Sequence, residues 1–243
     1  MEQKPQAPPK RTELHMARSM CWHCQSEITG EYFCEQCVKV QPLSKELDYF
    51  TCLGVPRLLN IDLAALEAKF YALSRSFHPD FYHNKTDSEQ AISLDNSALL
   101  NTAYRTLKDP IQRAEYLLKL EAGSAKDIRT SPPADLFEEI LALQEDLEEY
   151  RQTSPDQDPA TLAPLKAKLA SDRDQLEQRQ RGMEAKLAEL FNAWDRLQTR
   201  ADSAPVDDQL RKEREAILKD LRELLSNRTY LRNIITDLVA AMA

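Results

Sequence analysis

Apolar residues recur at intervals of three and four along most of this chain, the spacing that places them on one face of an α-helix. Leu63, Leu66, Phe70, Leu73 and Phe77 make one such stripe, and it stops at His78-Pro79-Asp80. Proline disfavours helical geometry in the residue before it, so His78 closes that helix and Asp80 is carried into an exposed loop. Around the stripe the pattern predicts a short helix through Phe50 and Leu53, stopped at Gly54-Val55-Pro56. It also predicts a third helix over about Ser88–Lys108 and a fourth over about Ile111–Glu121. Asp62 and Asp87 or Ser88 are the predicted N-caps; Asp109-Pro110 ends the third helix, with Pro110 in the first turn of the fourth.

A second periodic region follows a boundary at Gly123, Pro132 and Pro133. One helix is predicted from about Ala134 to Arg151. A linker with Pro155, Pro159 and Pro164 then leads to a long helix carrying Met183, Leu187, Leu190, Trp194 and Leu197. After Pro205 a last helix bears Ile217, Leu221, Leu224, Leu225, Leu231, Ile234, Ile235 and Leu238. Three amphipathic helices in succession suggest a three-helix, coiled-coil-like bundle over residues 134–243. Four glycines and thirteen clustered prolines in 243 residues leave long stretches without helix breakers, so the predicted fold class is all-α.

Charge and hydropathy narrow the partners. The net charge is −8 with both signs interspersed, which argues against a nucleic-acid backbone as ligand. No run approaches the roughly 18 apolar residues of a membrane span. Residues 1–20 read as a flexible arm without the apolar core of a secretory signal, so the cytoplasm is the default compartment.

Residues 21–43 break the helical pattern. Cys21-Trp22-His23-Cys24 and Cys34-Glu35-Gln36-Cys37 are two Cys-x-x-Cys knuckles with Gly30 available for the turn between them. Four thiolates at this spacing can wrap one structural zinc ion; a redox dithiol pair and an iron-sulfur site are the competing readings. Cys21, Cys24, Cys34 and Cys37 are therefore the candidate metal ligands. His23 reads as an exposed knuckle residue and Cys52 as a buried packing residue.

The tripeptide has a bland reading as a helix stop. Its histidine and aspartate exceed what a stop requires, and Asp80 can make a charge-assisted contact with a partner's arginine. Lys69 and Arg75, off the apolar stripe, add a basic docking surface.

Asp48-Tyr49-Phe50, Leu53-Gly54-Val55-Pro56, Phe77-His78-Pro79-Asp80, Asn101-Thr102-Ala103-Tyr104, Leu107-Lys108-Asp109-Pro110 and Arg113-Ala114-Glu115-Tyr116-Leu117-Leu118 together resemble the J-domain of HscB-type co-chaperones. The paired knuckles resemble those that precede the J-domain in some HscB relatives. The resemblance implies a zinc module over 21–43, a J-domain over 44–122, a linker over 123–133 and a client-binding bundle over 134–243. It implies a non-enzymatic adaptor for iron-sulfur cluster assembly. His78, Pro79 and Asp80, supported by Lys69 and Arg75, would stimulate the ATPase of a DnaK/HscA-class chaperone. The bundle would hold an IscU-type scaffold through Phe137, Leu141, Glu145 and Glu149 on its first helix and Tyr230 on its last. Between Ala134 and Tyr150 lie seven acidic residues and no basic one. The competing reading of Phe137 and Leu141 is bundle core. The competing function is a general J-domain chaperone that holds unfolded chains on its C-terminal helices.

Overall fold

The structure, a computed structural model, describes residues 19–28, 32–44, 47–121, 136–152, 159–203 and 208–242. Gly30, Pro155, Pro205, most of the expected N-terminal arm and the whole expected linker at 123–133 lie outside those residues. The described elements are two short antiparallel strands, β1 (Ser19–Met20) and β2 (Glu27–Ile28), and seven α-helices. The helices are α1 (Tyr49–Cys52), α2 (Leu63–Phe77), α3 (Asp87–Lys108), α4 (Pro110–Glu121), α5 (Phe137–Gln152), α6 (Pro159–Ser203) and α7 (Asp208–Met242). The all-α expectation holds.

Local chemistry explains the boundaries. Asp48 caps α1 by accepting from the Thr51 backbone N–H at 3.0 Å and hydroxyl at 2.8 Å, and Arg57 pairs with the same carboxylate at 2.8 Å. Gly54, at φ +60°, takes the left-handed turn that leaves α1. Asp62 caps α2 as expected. The cap of α3 is Thr86, one residue earlier than predicted. Thr86 and Glu89 form a reciprocal capping box, which satisfies more orphan donors than Asp87 or Ser88 alone would. Pro110 opens α4, with Asp109 accepting from the N–H groups of Ile111 and Gln112 at 2.9 and 2.8 Å.

The expected proline-rich linker is shorter than predicted. Pro159 is the first residue of α6 and Pro164 lies inside the same helix. Proline at a first helical position loses no intrahelical bond, and Pro164 sacrifices one near an end, where the cost is least.

The chain divides into two compact units. One comprises the described residues through Leu120 together with α6 from Asp195; the other comprises the remainder of α6 with α5 and α7, beginning at Glu121. In the first, Phe50, Leu53, Leu59, Leu66, Phe77, Leu100, Leu107 and Leu117 are almost wholly buried. Of the predicted α2 stripe, Leu66 and Phe77 are buried, Phe70 and Leu73 are half-buried, and Leu63 is exposed. Asp195 accepts from the N–H groups of Leu59 and Asn60 at 2.7 and 2.9 Å, which ties that segment of α6 into the first unit. Cys52 is buried there, and burial pushes its thiol up to about 12, as expected of a packing residue.

In the second unit Ile140, Leu143 and Leu147 of α5 pack with Leu169, Leu176 and Met183 of α6 and Leu231, Ile234 and Leu238 of α7. Each such side chain contributes roughly 1.5–3 kcal/mol by leaving water. These are the inward positions of three amphipathic helices, so the predicted bundle is present.

Candidate functional site

The two cysteine knuckles repeat one backbone design. The N–H of Gln25 bonds the carbonyl of Cys21 at 3.1 Å, and that of Val38 bonds the carbonyl of Cys34 at 2.8 Å. Gln25 and Val38, each one residue past its second cysteine, adopt φ of 61° and 60°. For a β-branched valine that geometry costs on the order of 1–3 kcal/mol, so the surroundings must over-determine it.

The knuckles bring the four candidate thiols together. All four sulfurs lie within 4.8 Å of one another, with Cys21–Cys37 and Cys24–Cys34 at 3.6 Å. Tetrahedral Zn–S bonds of about 2.3 Å would place sulfurs about 3.8 Å apart. The Ser26 hydroxyl beside Cys34 and backbone N–H groups around it bring that thiol down to about 6, while burial pushes Cys37 up to about 12. Four thiolates this close repel one another, and a divalent cation among them removes that obstacle. The His23 N–H and the Gln41 amide each point at the Cys21 sulfur at 3.4 Å, as second-layer donors to a bound thiolate do. These residues fit a four-sulfur metal site. His23 itself is exposed, as predicted.

The tripeptide sits in a single 3-10 turn, Pro79–Phe81, between α2 and α3. His78 leaves the helix at ψ 126°, the extended geometry proline imposes on its neighbour. Its Nδ1 lies 3.3 Å from the Asp80 backbone N–H, which closes the start of the turn. The Asp80 side chain is 85% exposed, 3.5 Å from the same Nδ1, and His83 Nδ1 lies 2.5 Å from the Asp80 carbonyl. The turn thus presents a carboxylate on a closed backbone.

Arg75 is exposed one turn before His78, and its Nε donates to the Tyr71 carbonyl at 3.4 Å. Lys69, also exposed, donates to the carbonyl of Gly54, so it braces the α1–α2 connection. Phe81, a residue 65% exposed, extends this surface with its ring edge-on to His78 at 6.0 Å. An aromatic residue directly after the tripeptide is the sequence signal that marks it.

On α5 the structure decides between core and surface. Phe137 and Leu141 are 57% and 49% exposed, while Ile140, Leu143 and Leu147 take the core positions. Glu145 and Glu149 are exposed on the Leu141 side, where an open groove of about 570 Å³ is lined by Leu141, Gln144, Glu145, Glu148, Glu149 and Gln152. Tyr230 is half-buried against the bundle core. A deeper hollow of about 630 Å³ lies between α5 and α6 around Ile140, Leu143 and Asp172, and Lys168 pairs across it with Asp146 at 2.6 Å.

The fold agrees with solved structures. Human co-chaperone HscB superposes with a TM-score of 0.64 at 22% identity, covering 91% of this chain and 98% of that one. HscB from Vibrio cholerae gives 0.50 at 24% identity, over 81% and 100% of the respective chains. The architecture is that of HscB co-chaperones. In sequence the chain is 33% identical over 129 residues to the iron-sulfur cluster co-chaperone protein HscB homolog of Arabidopsis thaliana, spanning 53% of this chain and 51% of that protein. It is 36% identical over 105 residues to iron-sulfur cluster co-chaperone protein HscB of Mus musculus, spanning 42% and 45%. The chain spans about half the length of the curated relatives it matches. No protein-family model matches it. No helix among the described residues is long and apolar enough to cross a membrane.

Proposed function

We propose that this chain is a non-enzymatic adaptor that presents an IscU-type iron-sulfur scaffold to a DnaK/HscA-class chaperone and stimulates that chaperone's ATP hydrolysis. The observation that carries the reading is the pairing, in one chain, of a His78-Pro79-Asp80 turn with its carboxylate in solvent and an acidic-rimmed apolar strip on α5. Asp80 contacts a chaperone arginine, and the closed turn lowers the ordering cost of docking. Arg75 assists by steering, an effect that weakens as salt rises. Phe137 and Leu141 anchor the scaffold, with Glu145 and Glu149 matching a basic rim on it. Tyr230 supports that contact from α7. Carrying both surfaces in one chain raises the effective concentration of client near chaperone.

Cys21, Cys24, Cys34 and Cys37 hold one structural zinc ion. When bound, the metal supplies a cross-link that a module of this size lacks in apolar core.

The test is binding of the full chain to purified IscU-type scaffold and, separately, to an unfolded model client. The scaffold binds the parent, and Phe137→Ala together with Leu141→Ala weakens it at least about tenfold, as for loss of two anchors. Binding of the unfolded client without the scaffold overturns the reading in favour of a general holding chaperone.

A further inference from the structure

The segment from Phe77 to Glu89, which contains the whole tripeptide turn, is gripped at both ends by the four-cysteine module. At its start Phe77 is wholly buried. The Tyr32 ring meets it edge-on at 5.5 Å and the Phe33 ring stacks on it at 6.2 Å. Tyr32 and Phe33 directly precede the candidate ligand Cys34. At the other end Glu89, half of the α3 capping box, pairs with Lys39 at 2.9 Å. Lys39 lies two residues past Cys37.

A third attachment joins the module to α3 two turns beyond Glu89. The Gln41 side-chain amide points at the Cys21 sulfur, and the Gln41 backbone carbonyl accepts from Asn96 Nδ2 at 2.9 Å. The Leu43 N–H returns a bond to Asn96 Oδ1 at 2.9 Å. Gln41 and Asn96 are buried, so breaking these bonds is costly. On either side of Asn96 in α3, Ser93 and Ser97 donate to the Phe77 carbonyl at 2.6 and 2.8 Å. Metal ligands, buried amides, α3 and the residue before His78 thus form one continuous packed network.

We propose that the module is a clamp: Tyr32, Phe33, Lys39 and Gln41 are positioning residues that hold the His-Pro-Asp turn in its docking geometry, and metal at the four cysteines keeps the clamp closed. Coupling of this kind needs a physical link and a demonstrated response. The structure supplies the link. Without metal nothing ties the two knuckles to each other, and the left-handed strain at Val38 favours opening of the knuckle that carries Tyr32, Phe33 and Lys39. The clamp itself does not depend on the chaperone reading; only its consequence for ATPase stimulation rests on that reading.

The experiment is residue-resolved amide hydrogen exchange on the full chain, metal-loaded, chelator-stripped and reloaded with zinc, with Phe33→Ala and Lys39→Ala as metal-retaining variants. The Phe81 and Tyr82 amides, which close the turn onto the His78 and Pro79 carbonyls at 3.0 and 2.8 Å, report its opening. On stripping they exchange at least about tenfold faster, with helix content by circular dichroism retained and reversal on reloading. Phe33→Ala accelerates them with the metal still present, and Phe33→Leu, which keeps an apolar contact, restores part of the protection. Unchanged exchange in the stripped protein overturns the clamp, and so does acceleration spread uniformly over α1, α2 and α4. Localised acceleration with no ATPase stimulation by any form supports the clamp and sinks only the chaperone reading.

Discussion

The two candidate interaction surfaces are built in opposite ways. The strip on α5 needs little beyond a helix: Phe137, Leu141, Glu145 and Glu149 recur every four residues, and the core on the other side of α5 orients them. The His78-Pro79-Asp80 turn has no regular scaffold of its own. Its geometry depends on Ser93, Ser97, Tyr32 and Phe33, brought from distant parts of the chain. A periodic face is therefore sensitive to substitution of the residues that show, and a turn to substitution of the residues that hide. The difference assigns each unit its own pattern of mutational response.

The largest expected effect is at Phe77. Phe77→Ala removes a fully buried ring and should destabilise the first unit by about 3–5 kcal/mol, measured by denaturant unfolding. At sub-denaturing concentrations it should also loosen the turn without touching it chemically. Next come two positions on α5. Leu143→Ala, at a core position, should cost about 2–5 kcal/mol of stability and leave scaffold affinity of the folded protein unchanged. Phe137→Ala, at an exposed position, should change stability by under about 0.5 kcal/mol and weaken scaffold binding instead. An inverted result at this pair would place the binding face elsewhere on the bundle.

A smaller effect separates the units by pH. Burial alone would raise the pKa of Asp48, but the bonds from Arg57 and Thr51 outweigh it and hold the carboxyl below its ordinary value. The Lys39 ion pair, with help from Thr86, lowers Glu89 in the same sense. Groups with folded pKa values below the unfolded ones stabilise the fold at pH above the unfolded value of about 4. That stabilisation is lost as pH falls through the lowered folded values. The melting temperature of the first unit should therefore drop with acidification over this range. In Asp48→Asn combined with Glu89→Gln the drop should be shallower, by calorimetry on each variant.

Much of this was legible in the sequence, and the exceptions have physical reasons. The apolar period announced α2–α7 because each helix buries one face, and Pro79 announced the turn because it forbids helix at His78. Thr86 as the α3 cap was readable from Thr-x-x-Glu; Asp87 and Ser88 obscured it because both are good caps in isolation. Pro159 and Pro164 read as linker because proline breaks helix interiors, although it is tolerated at helix starts. Asp195 could not be read as a partner of Leu59, because that bond spans 136 positions and follows no period. The contacts of Tyr32, Phe33 and Gln41 were hidden for the same reason. The cysteine spacing announced that four thiols could converge, as they do to within 4.8 Å of one another, whereas what the module packs against followed no pattern in the sequence.

The most direct test of the account is the stimulation of a DnaK/HscA-class chaperone's ATP hydrolysis by the full chain and by Asp80→Asn. Asparagine preserves the size of the exposed side chain while removing its charge and turning one acceptor oxygen into an amide donor. The account predicts that Asp80→Asn loses stimulation while retaining parental helix content and scaffold binding. Stimulation equal to the parent's would contradict it and remove the turn from the function of the protein.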